Sequence, residues 1–464
     1  MSFLICIGAL VFLMFVAYRG YSVILFAPLA ALAAVLLTDP SAVLPIYSGL
    51  FMESMVGFVK NYFPVFMLGA LFGKVIELSG FARAIVSAVI GLVGRERAIL
   101  SIVLVGALLT YGGVSLFVVV FAVYPFAAEM FRQGDIPKRL IPGTIALGAF
   151  TFTMDSLPGT PQIQNIIPTT FFKTTGMAAP TLGTIGGLFI LVVGLLYLNS
   201  RRRAAQAAGE GYGTGHIHEP ETPSHKVRIH PLVAISPLLV VGVANLAFTQ
   251  RIGPWLWGTT SEVVLAPGGK PVVQQVSKFL AIWSVECALL LGILTVMAFS
   301  WKTLRHKFAD GSKAAVAGSL LAAINTASEY GFGSVIAALP GFLVIKDALK
   351  AIPNPLVNEA LTVTALAGVT GSASGGMSIA LAAMANQFIA AAKAAGIPLE
   401  VLHRVAAMAS GGMDTLPHNG AVITLLAVTG LTHVQAYRDI FAVTCVKTLA
   451  VFVVIGVYYA TGLV

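Results

Sequence analysis

Charge is what this sequence most lacks. Of 464 residues only 10% are charged, against 57% hydrophobic, whereas a soluble domain carries about 25% charged residues. That shortage excludes an ordinary water-soluble globule. Cysteine is scarce too. Cys6, Cys287 and Cys445 all fall inside apolar runs, which excludes a disulfide framework and a paired-Cys metal site. The start, MSFLICIGALVFLMF, has neither a basic n-region nor an A-x-A cleavage site, so it is expected to be a first span and not a signal peptide. Neither HExxH nor GxSxG occurs, which removes the usual support for a metallopeptidase or a serine hydrolase elbow.

What is present is length of apolar chain. Runs of about 20 residues recur throughout, each enough to cross a bilayer as a helix. They do not alternate apolar and polar, as membrane β-strands do. The net charge of +9 comes from basic residues in short loops, the pattern of the positive-inside rule. Without a basic and aromatic surface, nucleic acid is excluded as a partner. The expected fold is an all-α polytopic membrane protein surrounded by the lipid bilayer. Spans are expected near 2–18, 21–38, 61–79, 181–199, 232–250, 279–300, 315–345 and 440–461, with 39–60 mixed and interfacial.

The chain repeats itself. FGKVI at 72–76 matches FGSVI at 332–336, and GGVSL at 112–116 matches GGMSI at 375–379. Asp-Ile-Pro at 135–137 matches Gly-Ile-Pro at 396–398, and MDSLP at 154–158 matches MDTLP at 413–417. Four matches in one order indicate a duplication, with repeats at 1–200 and 231–464. Between them, residues 201–230 carry Arg201–Arg203, the Gly-rich GEGYGTG and, among their histidines, His216, His218 and His225. Without carboxylate or Cys spacing the histidines read as part of a solvated flexible linker, not a metal site.

Placing that linker in the cytoplasm puts most Lys and Arg inside, if 98–130 and 356–392 enter and leave by one face as re-entrant hairpins. Each half then makes about five crossings, an odd number, so the two repeats are inverted and both termini are periplasmic. Inverted repeats with interrupted helices are the pattern of secondary transporters that bind at the midplane.

Each half offers a hairpin tip and a helix break. Gly112 and Ser115 mark one tip, and Ser372, Ser374 and Gly375 the other. Their small and hydroxyl residues let backbone N–H groups and neutral donors approach a ligand; close helix packing is the plainer use of the same residues. Ser156, Thr160 and Gln162 stand at the first break, and Thr415, His418 and Asn419 at the second. Asp155 and Asp414 either cap the half-helices that follow or carry a coupling proton. His418 has the pKa range of a proton carrier, and Glu329 is a further carboxyl within a span. Lys447, near a span end, reads as a snorkelling lysine.

The strings GSASGGMSIAL at 371–381 and GGMDTLPHNGAVITLLAVTGLTH at 411–433 resemble the gluconate permease (GntP) family of the ion-transporter superfamily. Within it, they look closest to D-β-hydroxybutyrate permease-like members. The resemblance covers nearly the whole chain. It implies proton-coupled symport of a small organic acid anion by a homodimer with a scaffold and a mobile domain, without a cofactor. It also implies substrate contact at Ser372, Ser374, Thr415, Asn419 and their first-half counterparts. DSLPGTPQ at 155–162 departs from the His- and Pro-rich break of gluconate-type members. The expectation is therefore an inner-membrane carrier of a small monocarboxylate such as 3-hydroxybutyrate or gluconate, driven by H+. A sodium-coupled carboxylate carrier is the alternative, and an intramembrane hydrolase using a Ser of GSASGG with His418 is the remote one.

Overall fold

The computed structural model describes residues 2–19, 21–114, 116–216, 219–220, 229–267, 269–344, 352–417 and 419–464. The chain is an all-α polytopic membrane protein of two inverted repeats. A small antiparallel hairpin, β1 (Thr260–Val263) with β2 (Val272–Gln275), is its only sheet among the described residues. In order, the first half holds α1 (Ser2–Tyr18), α2 (Val23–Thr38), α3 (Met52–Ser79), α4 (Phe81–Val93), α5 (Ala98–Tyr111), α6 (Leu116–Gln133), α7 (Leu140–Ala149), α8 (Phe152–Asp155), α9 (Ile163–Phe172) and α10 (Pro180–Ala207). The second half holds α11 (Pro231–Ala247), α12 (Val276–Leu304), α13 (Phe308–Ala338), α14 (Pro355–Thr370), α15 (Ala373–Ala394), α16 (Leu399–Ser410), α17 (Gly420–Thr429) and α18 (His433–Thr461).

Six helical runs among the described residues are long and apolar enough to span a bilayer. One of them corrects the expectation for 39–60. Helical turns beginning at Pro40 lead straight into α3, so that Pro40–Ser79 is a single run of 40 residues. Polar residues of the stretch expected to be interfacial, such as Glu53 and Ser54, sit on this helix and line a pocket. Gly80, at φ 83°, ends the run in the left-handed conformation that suits glycine at a helix C-terminus.

The inversion is visible in which ends meet. On α3 and α13, which carry the matching FGKVI and FGSVI, Gly331 faces Phe51 while Gly311 faces Leu78. The two helices therefore run antiparallel. Likewise Thr181 at the start of α10 bonds Val464 beyond the end of α18, and Arg201 near the end of α10 pairs with Asp439 near the start of α18. Small residues sit where these helices cross, as membrane helices use them for close approach. In each half a re-entrant hairpin (α5–α6, then α14–α15) precedes a broken helix (α7–α8–α9, then α16–α17).

Among its described residues, the segment expected to be a solvated linker docks through Glu210, Tyr212 and Glu219. Its first residues continue α10 to Ala207, so the repeat boundary expected at 200 falls inside a helix. Tyr212 is buried, and its N–H donates to Asp135 Oδ1 at 2.9 Å. Glu219 pairs with Lys138 at 2.7 Å and with Arg132, and Glu210 with Arg139 at 2.7 Å. His216 Nε2 bonds the Tyr212 carbonyl; His218 and His225 lie outside the described residues. At the same face Asp439, 1% exposed, accepts from Arg201, Arg139 and Tyr197.

The docking carries a pH dependence. The Arg139 guanidinium holds Glu210 below the usual carboxylate range. Burial raises Glu219, but its bonds to Lys138 and Arg132 outweigh that and leave it lowered. A carboxyl depressed in the folded state contributes stability above its unfolded pKa and loses it as pH falls through the folded value. Hydrogen exchange of residues 209–216 is therefore expected to stay slow from neutral pH down to the ordinary glutamate range, about 4.3, and to accelerate below it, after correction for intrinsic rates. Exchange already fast at neutral pH would show the segment undocked.

Candidate functional site

Both helix breaks are real and they meet. The first runs from Phe150 to Gln162, relieved only by the single turn of α8; the second runs from Gly411 past Pro417 to Asn419. Pro158, Pro161 and Pro417 offer no N–H, and the carbonyls left free at membrane depth need donors. Side chains supply them. Arg404 donates to the Asp155 carbonyl at 2.9 Å and to the Ala178 carbonyl at 2.7 and 3.2 Å. Lys447 Nζ donates to the Phe150 carbonyl at 2.9 Å. Asn165 Nδ2 donates to the Thr160 and Gly176 carbonyls, both at 2.9 Å, and Asn245 to that of Gly159 at 3.0 Å. Asn165 Oδ1 accepts from His403 Nε2 at 3.2 Å, and His403 Nδ1 accepts from Thr174 at 2.6 Å.

Each half also clasps its hairpin tip with the amide that precedes the second half-helix. Gln162, ahead of α9, donates to the Thr110 carbonyl at 2.7 Å and to that of Val114 at 3.4 Å. Asn419, ahead of α17, donates to the Gly371 carbonyl at 2.7 Å, while its Oδ1 caps α17 through the N–H groups of Ala421 and Val422. The tips turn at Gly113 (φ 94°) and Gly371 (φ 64°), a backbone state that glycine adopts at no steric cost.

Four ionisable side chains stand between the breaks. Lys447, 1% exposed, makes a 2.6 Å ion pair with Asp414, whose side chain is 13% exposed. Asp155 accepts from Ser156 at 2.7 Å and abuts Gly411. Arg404 is fully buried. Two carboxylates and two cations balance, the condition under which charge is tolerated away from water.

A cavity of about 1030 Å³ is lined by both tips and both breaks. Gln162, Ser372, Ser374, Asp414, Thr415 and Asn419 lie on its wall, with Asn325, Thr326 and Gln164. Apolar wall comes from Phe66, Phe121, Met154 and Leu289. The rim carries the Lys74–Glu77 pair, near Gly80, which touches Ile229 at the end of the linker segment. The cavity thus lies toward the linker face. A smaller pocket of about 310 Å³ lies further along the same helices, lined by Glu53, Phe58, Asn61, Tyr62, Thr170 and Tyr330. Its lining stops at Tyr62 on α3, and the cavity's begins at Val65. On α13 the corresponding residues are Tyr330 and Thr326. About one helical turn, roughly 5 Å, separates the two spaces. That layer is aromatic: Phe58 packs on Tyr62 at 4.6 Å, on Tyr330 at 5.7 Å and on Phe66 at 6.4 Å.

Ser156, Thr160, Gly112, Gly375 and Glu329 do not line the cavity. Ser156 is spent on Asp155, and Thr160 is fully buried. Gly112 faces Leu238, and Gly375 faces Glu329, where a Cβ would fall 1.6 Å from its Oε2. For these two glycines close packing, the plainer use, is what the geometry displays. Ser372 Oγ caps α15 by accepting from Gly375 N–H at 3.1 Å. The Ser374 and Thr326 hydroxyls share a bond of 3.3 Å, and the Thr415 hydroxyl meets that of Thr444. Glu329 is buried with Oε2 unpartnered. Ser115 and His418 lie outside the described residues. Lys447 is a correction. It lies in the middle of α18, not at its end, and it pairs inward instead of snorkelling. Sequence reading missed Arg404, His403 and Gln164. For Arg404 and His403, two adjacent ionisable residues inside the apolar VLHRVAAMA were the available signal.

No family model matches the chain. Among solved structures it is similar to the YdaH transporter of Alcanivorax borkumensis, with a TM-score of 0.59 and 15% identity over 92% of this chain and 90% of that one. It is also similar to MtrF of Neisseria gonorrhoeae, described with a class of antimetabolite efflux pumps, at TM-score 0.55 and 13% identity over 90% and 85%. At such identity the likeness is one of fold. Across the full length of both chains, 58% of positions are identical to the Bacillus subtilis (strain 168) protein named "Uncharacterized transporter YxjC". The chain belongs to the family of that transporter.

Arg404→Met removes three hydrogen bonds and leaves two buried carbonyls unpaired. It is expected to destabilise by about 2–5 kcal/mol, the cost of leaving two buried acceptors unsatisfied, seen as a lower Tm of the purified protein in detergent. An unchanged Tm would mean that Arg404 does not hold the breaks.

Proposed function

We propose that the chain is a secondary active transporter that moves a small organic monocarboxylate, of the 3-hydroxybutyrate or gluconate kind, in symport with protons. The observation that carries the reading is the cavity built jointly from two hairpin tips and two helix breaks. Amides and hydroxyls on its wall suit the carboxylate and hydroxyl of a hydroxy acid, and its apolar half suits a short carbon chain. The charge balance behind the wall favours a coupling cation. One anion added alone to a balanced, poorly solvated site costs several kcal/mol, and a proton entering with it removes that cost. The resemblance of 371–381 and 411–433 to the gluconate permease family supports the same substrate class.

Alternating access follows from the two spaces along α3, α9 and α13, with the aromatic layer of Phe58, Tyr62 and Tyr330 as the closed gate. In this reading the protein sits in the inner membrane as a homodimer, with the linker in the cytoplasm and both termini in the periplasm.

Proteoliposomes with an imposed inward proton gradient are expected to accumulate 3-hydroxybutyrate, and a protonophore to abolish the accumulation. Accumulation that needs sodium and ignores the proton gradient would replace H+ with Na+ as the coupling ion. A second measurement checks sidedness. A membrane-impermeant maleimide is expected to reach Ser319→Cys from the linker face and Asn61→Cys from the opposite face. Labelling of both from one face would remove the gate.

A further inference from the structure

Lys447 has three N–H donors, and among the described residues two hydrogen bonds are formed, to the Phe150 carbonyl and to Asp414 Oδ1. Both partners line the cavity, yet Lys447 itself is buried. An anion arriving in the cavity therefore meets Asp414 first, with an ammonium one hydrogen bond behind it. Such a carboxylate and Asp414 are the same chemical group competing for one donor.

The geometry points to Lys447 as the group that receives the carboxylate of the transported acid, in exchange for Asp414, which takes up the co-transported proton. This rests on the proton-symport reading and assigns its two halves to residues. In the exchange, a proton binds Asp414 Oδ1, the Lys447 N–H···Oδ1 bond breaks, and an N–H of the same ammonium bonds the incoming carboxylate. The site holds the same net charge before and after, so neither state leaves an uncompensated ion in the membrane interior. The empty protein keeps the pair closed, and anion without proton finds the ammonium occupied.

The surroundings distinguish Asp414 from the other carboxyls. Asp155 on α8 also faces this site, but it is off the cavity wall, bonded by Ser156 and pressed on Gly411. Arg404 on α16 has its donors committed to backbone carbonyls. Tyr437 on α18 donates to the Thr415 carbonyl. Glu359 on α14, which also packs against α18, is fully buried with both oxygens unpartnered. Glu329 faces Gly375 at the second hairpin tip. Of these carboxyls, only Asp414 joins the cavity wall to a cation.

The test is calorimetric binding of 3-hydroxybutyrate to the purified full chain in buffers of different ionisation enthalpy, which counts protons taken up per ligand. The wild type is expected to take up about one proton, and Asp414→Asn none while still binding. Lys447→Met is expected to bind about 10- to 100-fold more weakly, the loss of a charge-assisted hydrogen bond, and Lys447→Arg to recover part of it. Because each single change strands a buried partner, Asp414→Asn combined with Lys447→Met serves as the neutral pair; it should fold, bind weakly and take up no proton. Proton uptake that persists in Asp414→Asn or in the neutral pair overturns the assignment of Asp414. Wild-type affinity in Lys447→Met or in the neutral pair overturns that of Lys447. Binding without proton uptake in the wild type itself overturns the symport reading beneath both.

Discussion

The structure depends on one constraint: backbone that stops being helical inside a membrane must find hydrogen-bond partners within the protein. Two stretches of this chain stop, at 150–162 and 411–419. Arg404, Lys447, Asn165 and Asn245 exist at depth because their N–H groups satisfy what those stretches expose. Once cations are buried for that purpose, Asp155 and Asp414 are needed to balance them. The polar wall of the cavity is in this sense a by-product of repairing two broken helices.

The same logic explains why the hairpin tips belong to the site. Gln162 and Asn419 each stand just ahead of a half-helix and reach across to a tip carbonyl. Tip and break in each half are thereby one mechanical piece. Against these pieces stand α3 and α13, long and antiparallel, which supply most of the remaining cavity wall and much of the aromatic layer.

The breaks were legible because Pro, Asp and Asn inside an apolar run have few other readings, and because MDSLP and MDTLP repeat in register. The inverted architecture followed from charge placement. What could not be read were the pairings across distance. Asp155 meets Arg404 across 249 positions, and no local pattern announces that contact. Lys447 looked like a snorkelling residue because its partner, 33 positions earlier, is brought near only by the return of the second break against α18. The helix through 40–60 was misjudged for a related reason: its polar residues suggested an interface, whereas they line a pocket. Likewise, hydroxyls in GSASGG were visible as a group, but which of them caps, which packs and which faces the cavity depends on the third dimension.

One asymmetry in an otherwise duplicated molecule has a thermodynamic consequence. Turned-over copies allow an opening on either face to be described as the same event with the halves exchanging parts. Among the described residues, Glu210 and Glu219 tie the segment between the repeats to Arg132, Lys138 and Arg139 on one face only. On the alternating-access proposal, ties without a counterpart on the other face would add an energy difference between two conformers that duplication alone leaves alike.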